Sequence, residues 1–233
     1  VTLRETGGGA PVPSTPAVFS ITEDDGPVVG ATLLRINAFG PELVATDSGP
    51  NWLADTEGAP ISYFSSGDGT ANFNRGDVIA PGNLSLDSDL PAATPSELFE
   101  LTRSSDGPIL YSIPVTDIPT ASGEYQVNLY FAEIYIGQPG NGSGLGAGAR
   151  IFDVEVEGSL VLDDYDIFAE VGTGTAVLKS YDATVADGNL DVDFTTVADN
   201  AKISAIEVIK TGDAGAPLNY STSAEILTSD VAD

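Results

Sequence analysis

Carboxylates and aromatic rings are the groups in this chain that could do chemistry. Of its 233 residues, 35 are Asp or Glu and 8 are Lys or Arg, a formal net charge of −27, and there is no His, Cys or Met. Without Cys there is no disulfide framework, no thiolate nucleophile and no thiolate zinc site. Without His there is no imidazole base, no Ser-His-Asp triad and no His-ligated metal. A surface this acidic repels the phosphates of nucleic acid and of anionic lipid, so neither nucleic acid nor a membrane is expected as a partner. What remains suits hard, oxygen-ligated cations such as calcium, and carbohydrate, whose hydroxyls are matched by carboxylates and amides.

Several acidic groups could hold calcium: Glu23-Asp24-Asp25, Asp87 with Asp89, Asp163-Asp164 with Asp166, and Asp191 with Asp193. None has the spacing of an EF-hand loop. A structural calcium is therefore an expectation without an assigned site, and no other cofactor is required. Paired carboxylates could also serve a glycosidase, but with 35 of them some pair falls at any required separation. No catalytic residue is assigned. The glycine-rich run 137–148 leaves one strand pattern and enters another, with no Gly-Lys-Ser/Thr behind it. It reads as a strand connection, since a phosphate loop opens a helix.

The aromatics point further. Sugar rings present apolar C–H faces and polar edges, and they bind on Tyr or Trp platforms beside hydrogen-bonding carboxylates or amides. Trp52, Tyr63, Tyr135 and Tyr165 fall in loops or at strand ends, where such platforms belong.

β-Strands must position these groups. In residues 124–135, Tyr125, Val127, Leu129 and Phe131 alternate with Gln126, Asn128 and Tyr130, the period of a half-buried strand. Residues 150–157 repeat the pattern with Phe152, Val154 and Val156 inward. Leu190, Val192 and Phe194 alternate with Asp191, Asp193 and Thr195, and 202–210 is a long apolar strand. Shorter strands are expected at 29–37, 61–64, 97–103 and 109–115, the last two flanking a turn at Asp106-Gly107. No segment sustains a 3.6-residue period. Many strands at short spacing predict an all-β fold, a jelly-roll-type β-sandwich of antiparallel strands.

That sandwich is expected over residues 30–210. Residues 1–29, with Gly7-Gly8-Gly9 ahead of Pro11, Pro13 and Pro16, read as a linker or the end of a preceding module. Residues 211–233 read as a C-terminal linker or edge strand. No apolar run reaches the roughly 18 residues of a membrane helix. With no starting Met and no signal-peptide pattern, a piece of a longer chain is expected.

Five blocks, in order across residues 32–210, resemble malectin and malectin-like domains. Arg35-Ile36-Asn37-Ala38-Phe39-Gly40 is similar to the family's opening Val-Asn-Ala-Gly-Gly. Phe131-Ala132-Glu133-Ile134-Tyr135 resembles its Phe-Ala-Glu-x-Tyr strand, and Arg150-Ile151-Phe152-Asp153-Val154 with Gly158 its Arg/Lys-x-Phe-Asp-Val-x-x-x-Gly. Asp163 to Phe168 with Val171-Gly172 resembles Leu-Asp-Ile-Phe-x-x-Val-Gly, and Asp199 to Ile206 resembles Asp-Asn-Pro-x-Val-x-Ala-Ile.

The resemblance implies a jelly-roll domain that binds glucose-containing oligosaccharides through loop aromatics and an Asp. Three positions match the family's binding residues: Tyr63, Tyr135 and Asp199. Two depart, with Ile136 and Ser104 where the family carries aromatics. Phe39 stands in place of Gly and could serve as a substitute platform; Glu133 and Asp153 look structural. The expected function is a non-catalytic carbohydrate-binding module of a larger secreted or cell-surface protein, with flanking domains. Acidity with scarce Lys suggests a saline environment, and the absence of Cys fits a prokaryotic surface protein. The alternative is a calcium-stabilised structural or interaction module of a surface adhesin, without glycan binding.

Overall fold

The computed structural model describes residues 30–66, 84–87, 89–115, 123–139 and 142–212. The expectations for residues 1–29 and 213–233, including Glu23-Asp24-Asp25, lie outside the described residues.

Two sheets carry the fold. The first runs in the order β2 (Trp52–Asp55), β1 (Thr32–Ala38), β13 (Ala205–Gly212), β7 (Gly123–Ala132), β10 (Thr175–Val185), β4 (Ser85–Leu86). The second runs β3 (Phe64–Ser66), β6 (Ile109–Pro114), β11 (Asn189–Ala198), β8 (Ile151–Val156), β9 (Ser159–Tyr165). A short third pair joins β5 (Arg103–Ser105) to β12 (Ala201–Ile203). From β7 onward the chain crosses repeatedly between the sheets, the wrapping that a jelly roll requires. The pairings are antiparallel except β1 with β2 and β4 with β10, two short edge strands that lie parallel to their neighbours.

Alternation builds the core between the sheets. Val127, Leu129 and Phe131 of β7 face Phe152 and Val154 of β8 and Val192 and Phe194 of β11, all fully buried. Phe131 sits among rings, 5.5 Å from Tyr165, 5.9 Å from Phe152 and 6.4 Å from Phe194 between centroids. Burying each such side chain contributes about 1.5–3 kcal/mol before entropy is counted.

The outer face of β7 was expected to be solvated, and in its second half it is not. Tyr130 and Ala132 are buried in a second apolar cluster with Trp52, Leu98 and Phe99. Trp52 meets Tyr130 edge-on at 5.4 Å. The cover comes from β2 and from a 3₁₀ turn at Ser96–Phe99, where the sequence pattern predicted a strand over 97–103. Pro95 sets the entry angle of that turn, and adjacent Leu98 and Phe99, which a strand would send to opposite faces, are both buried in it.

Two further boundaries differ. The expected strand at 61–64 is a turn, and pairing begins at Phe64. The expected strand 202–210 breaks at Ser204, because β12 pairs with β5 while β13 joins β1 and β7. A five-residue helix α1 (Ile167–Val171) is capped by Asp166, whose carboxylate accepts the Ala169 N–H at 2.9 Å.

Candidate functional site

The C-terminal end of β7 and the β11–β12 connection carry two of the sequence-predicted binding residues. Past β7, Glu133 is fully buried while Tyr135, in the turn that follows, is half-buried. One Glu133 oxygen accepts the backbone N–H of Tyr135 at 2.9 Å and that of Ile136 at 3.1 Å. The other accepts Arg150 Nε at 2.9 Å. Arg150, just ahead of β8, then reaches the β11–β12 connection. Its Nη1 donates to the Asn200 carbonyl at 2.7 Å and its Nη2 pairs with Asp199 Oδ2 at 3.0 Å. Asp199 is exposed and sits at φ +57°. Lys202, 1% exposed, lies 3.6 Å from the same Glu133.

The electrostatics follow from this burial. Desolvation alone would raise the Glu133 carboxyl, but Lys202, Arg150 and the two backbone N–H bonds hold it below the usual carboxylate range. Burial brings the Lys202 ammonium down to about 8, against the upward pull of Glu133.

The loop after Tyr135 folds back on it. Gln138 N–H donates to the Tyr135 carbonyl at 3.0 Å, and Gly137 N–H to that of Gly142 at 2.9 Å. A Cβ at Gly142 would lie 1.8 Å from the Tyr135 oxygen, so only glycine fits there. The glycine-rich connection is thus packed against the Tyr135 backbone.

Tyr63 is placed elsewhere. It lies half-buried in the turn before β3, packs on the main core, and its carbonyl accepts the Ser112 N–H at 2.8 Å. Ser112 is opposite Asp191, near the start of β11, whereas Asp199 lies past its end. The structure therefore joins Tyr135 and Asp199 through Glu133 and Arg150, and Tyr63 is outside that network. Its turn hangs instead on Asp55, which accepts the Ile61 N–H at 2.9 Å and is ion-paired to Arg103 at 2.6 Å.

The remaining ring candidates are core residues. Trp52 is 2% exposed and carries the Arg35 guanidinium over its ring at 5.1 Å. Tyr165 is buried against Phe131 and Phe152. Phe39 is no surface platform: it is buried at φ +67°, with Arg103 5.6 Å from its ring. Ile136 and Ser104 are buried as well. Glu133 is structural, as expected.

Among the described residues one acidic trio gathers: Asp153, Asp163 and Asp164 bring carboxylate oxygens within 4.8 Å of one another. Asp166, expected with them, caps α1 instead and accepts the Gly148 N–H. Asp87 accepts the N–H of Asp89 in a local turn. Asp193 is held above its usual range by burial and by Asp191 and Glu155. Two surface grooves, one of about 420 Å³ by Glu124 and Asp182 and one of about 350 Å³ by Val44 and Pro95, include none of Tyr63, Tyr135 or Asp199.

Sequence reasoning missed Arg150 and Lys202 as members of the site. The available signal was a lysine inside an apolar strand, in a chain with three lysines, which calls for a buried counter-charge.

Known proteins resemble this chain in both sequence and fold. The chain is 30% identical over 167 residues to a probable leucine-rich repeat receptor-like serine/threonine-protein kinase of Arabidopsis thaliana, covering 68% of this chain and 16% of the kinase. It is 30% identical over 113 residues to Malectin-B of Xenopus laevis, covering 48% of this chain and 36% of that protein. The chain thus spans about a sixth of the length of the receptor-like kinases it matches. The ANXUR1 extracellular domain of Arabidopsis thaliana has a similar fold, with a TM-score of 0.58 at 14% identity, over 78% of this chain and 48% of that one. A β-glucuronidase of Bacteroides uniformis is similar over 76% of this chain and 18% of its own, with a TM-score of 0.52 at 17% identity. Among the described residues no helix is long and apolar enough to cross a membrane. Malectin domains are non-catalytic carbohydrate-binding modules. The malectin domain family model matches residues 32–208, and the chain belongs to that family.

Proposed function

We propose that this domain is a carbohydrate-binding module of a larger secreted or cell-surface protein, and that it takes an oligosaccharide at the Tyr135–Asp199 end of the sandwich. The observation that carries this reading is the pairing of a half-buried tyrosine with an exposed carboxylate, tied together by one buried ion network. A ring on one side and an acceptor on the other match the apolar face and hydroxyl edge of a sugar. A glucose-containing oligosaccharide is the ligand class the family suggests. Tyr63, packed on the main core outside this network, is left out of the proposed site.

A glycan array, run with calcium and with EDTA, tests the reading. Selective binding is expected, weakened at least about tenfold in Tyr135→Ala and in Asp199→Ala. A Tyr135→Ala variant that binds as tightly as the parent sinks the site. The second reading, a calcium-stabilised structural module, has its foothold in the trio Asp153, Asp163 and Asp164. It requires a melting temperature that falls in EDTA, with silence on both arrays.

A further inference from the structure

The ion network beneath Tyr135 is divided among its partners in a way that simple charge pairing does not require. Glu133 splits its two oxygens between two tasks: Oε1 takes the Tyr135 and Ile136 N–H groups, and Oε2 takes Arg150. Arg150 in turn spreads three donors over two chain segments: Nε to Glu133, Nη1 to the Asn200 carbonyl, Nη2 to Asp199 Oδ2. We propose that Glu133 and Arg150 are positioning residues, which hold the Tyr135 turn and the Asp199 loop as one pre-set unit for a glycan. This rests on the binding reading above.

Three features support it. First, the planar fork of a guanidinium serves three acceptors from separate nitrogens in fixed directions, whereas a lysine gathers its three donors on one rotating nitrogen. Second, Asp199 sits at φ +57°, a conformation uncommon outside glycine although Asp tolerates it better than most. Arg150 bonds both its carboxylate and the next carbonyl. Third, among the described residues Asp199 Oδ1 accepts no bond, and the side chain is 40% exposed. One oxygen is anchored while the other is left to take a sugar hydroxyl. A ligand that meets two groups already fixed in place loses less affinity to their ordering.

The protonation state is fixed by what surrounds it. Glu133 faces Arg150 and Lys202, and Asp199 completes a set of two cations and two anions. The 7% exposure of the Arg150 side chain shields its pairs from salt, unlike the surface carboxylates.

The test uses the parent and four variants: Arg150→Lys, Glu133→Gln, Asp199→Asn, and the double Arg150→Lys/Asp199→Asn. The probe is a panel of glucose disaccharides spanning α and β linkages, measured by calorimetry. Arg150→Lys is expected to fold and to lose about tenfold or more in affinity for the best disaccharide. The double variant is expected to lose clearly less than the product of the two single losses, because part of what Arg150 does passes through Asp199. Glu133→Gln replaces one oxygen with NH₂, so its side chain can serve the turn or Arg150 but not both. Amide exchange at Tyr135 and Ile136 should then quicken several-fold, with Leu129 in β7 unchanged. An Arg150→Lys variant that folds and binds like the parent overturns the proposal. So does a double variant whose loss is the product of the two single losses, since Arg150 would then act as general scaffolding. If the parent binds none of the disaccharides, the binding reading fails and the positioning role falls with it, an outcome distinct from the other two.

Discussion

Removing Arg103 should unsettle the sandwich more than the loss of a single surface charge ever could. Its side chain is 1% exposed and Asp55 beside it is 0% exposed. Nη2 pairs with Asp55 Oδ1 at 2.6 Å, Nε donates to Oδ2 at 2.8 Å, and Nη2 also donates to the Asp55 carbonyl at 2.9 Å. The guanidinium lies 3.8 Å from the Phe64 ring centroid. Arg103→Met keeps much of the stem and deletes the charge. Asp55 would keep the Tyr111 hydroxyl at 2.6 Å and the Ile61 N–H at 2.9 Å, but no cation. Stranding a buried charge in this way costs about 3–5 kcal/mol. At about 2–4 °C per kcal/mol for a domain of this size, the midpoint should fall by roughly 6–20 °C. The companion variant is Asp55→Asn/Arg103→Met, in which neither charge remains. It should recover at least half of the loss, because the penalty lies in the unpaired carboxylate. Urea titration of the parent, both single variants and the double measures this, with the slope checked for constancy. A single-variant cost below about 1 kcal/mol, or a double variant as costly as the sum of the singles, refutes the reasoning.

Acid should act in two stages. Glu157 and Asp193 are raised by burial and by neighbouring carboxylates, so they favour the folded state as they take up protons. Asp47 is lowered from 3.8 to about 2, chiefly by its bond to Arg35, and Glu133 is lowered too. The stability from this second pair is complete above about pH 4.5 and lost as pH falls through the folded values. The melting temperature should therefore rise as acid first protonates Glu157 and Asp193, above the ordinary carboxylate range, and drop below about pH 4; a fall with no initial rise refutes the first stage. Salt should stabilise: raising it from about 0.05 to about 0.5 M screens a net charge of −27 and should lift the midpoint by several degrees, and a flat response counts against surface repulsion. Gly142→Ala should weaken glycan binding with little change in melting, because its Cβ collides with the Tyr135 carbonyl; parental affinity would show that the turn is not part of the site.

Legibility followed where the covering chain came from. β8 and the first part of β11, to Thr195, read directly, because one face is apolar and the other polar. The second half of β7 misled, because Trp52 and Phe99, distant in sequence, cover its outer face. β10, 11 residues long, was missed because Lys179, Ser180 and Asp182 interrupt its apolar residues. The family motif is what put Tyr135 and Asp199 forward as candidates. No pattern could tell that Trp52 and Tyr165 were core rings, since a platform and a core ring have the same composition. Nor could spacing reveal that Arg150 joins two candidates 64 residues apart, which only the chain's return through β11 brings together.

Among the described residues almost every cation is buried, and that bears on what the domain can bind. Arg35, Arg103, Arg150, Lys202 and Lys210 are all buried, which leaves Lys179 as the one Lys or Arg among the described residues that is not. The cationic side of these pairs is thereby shielded from solvent, and the charged groups on the described surface are, Lys179 apart, carboxylates. At the Tyr135–Asp199 end both buried cations are already committed, Arg150 to Glu133 and Asp199, Lys202 to Glu133. A uronate or sulfated sugar would meet a carboxylate with no spare described cation to offset it, at a cost of repulsion and desolvation. A neutral sugar brings no charge to set against that carboxylate. Neutral glycans should therefore be retained on an array while their carboxylated and sulfated counterparts are rejected by about tenfold or more, most strongly at low salt. Equal binding of a neutral glycan and its uronate at low salt would mean that the glycan does not contact Asp199, and would move the site elsewhere on the sandwich.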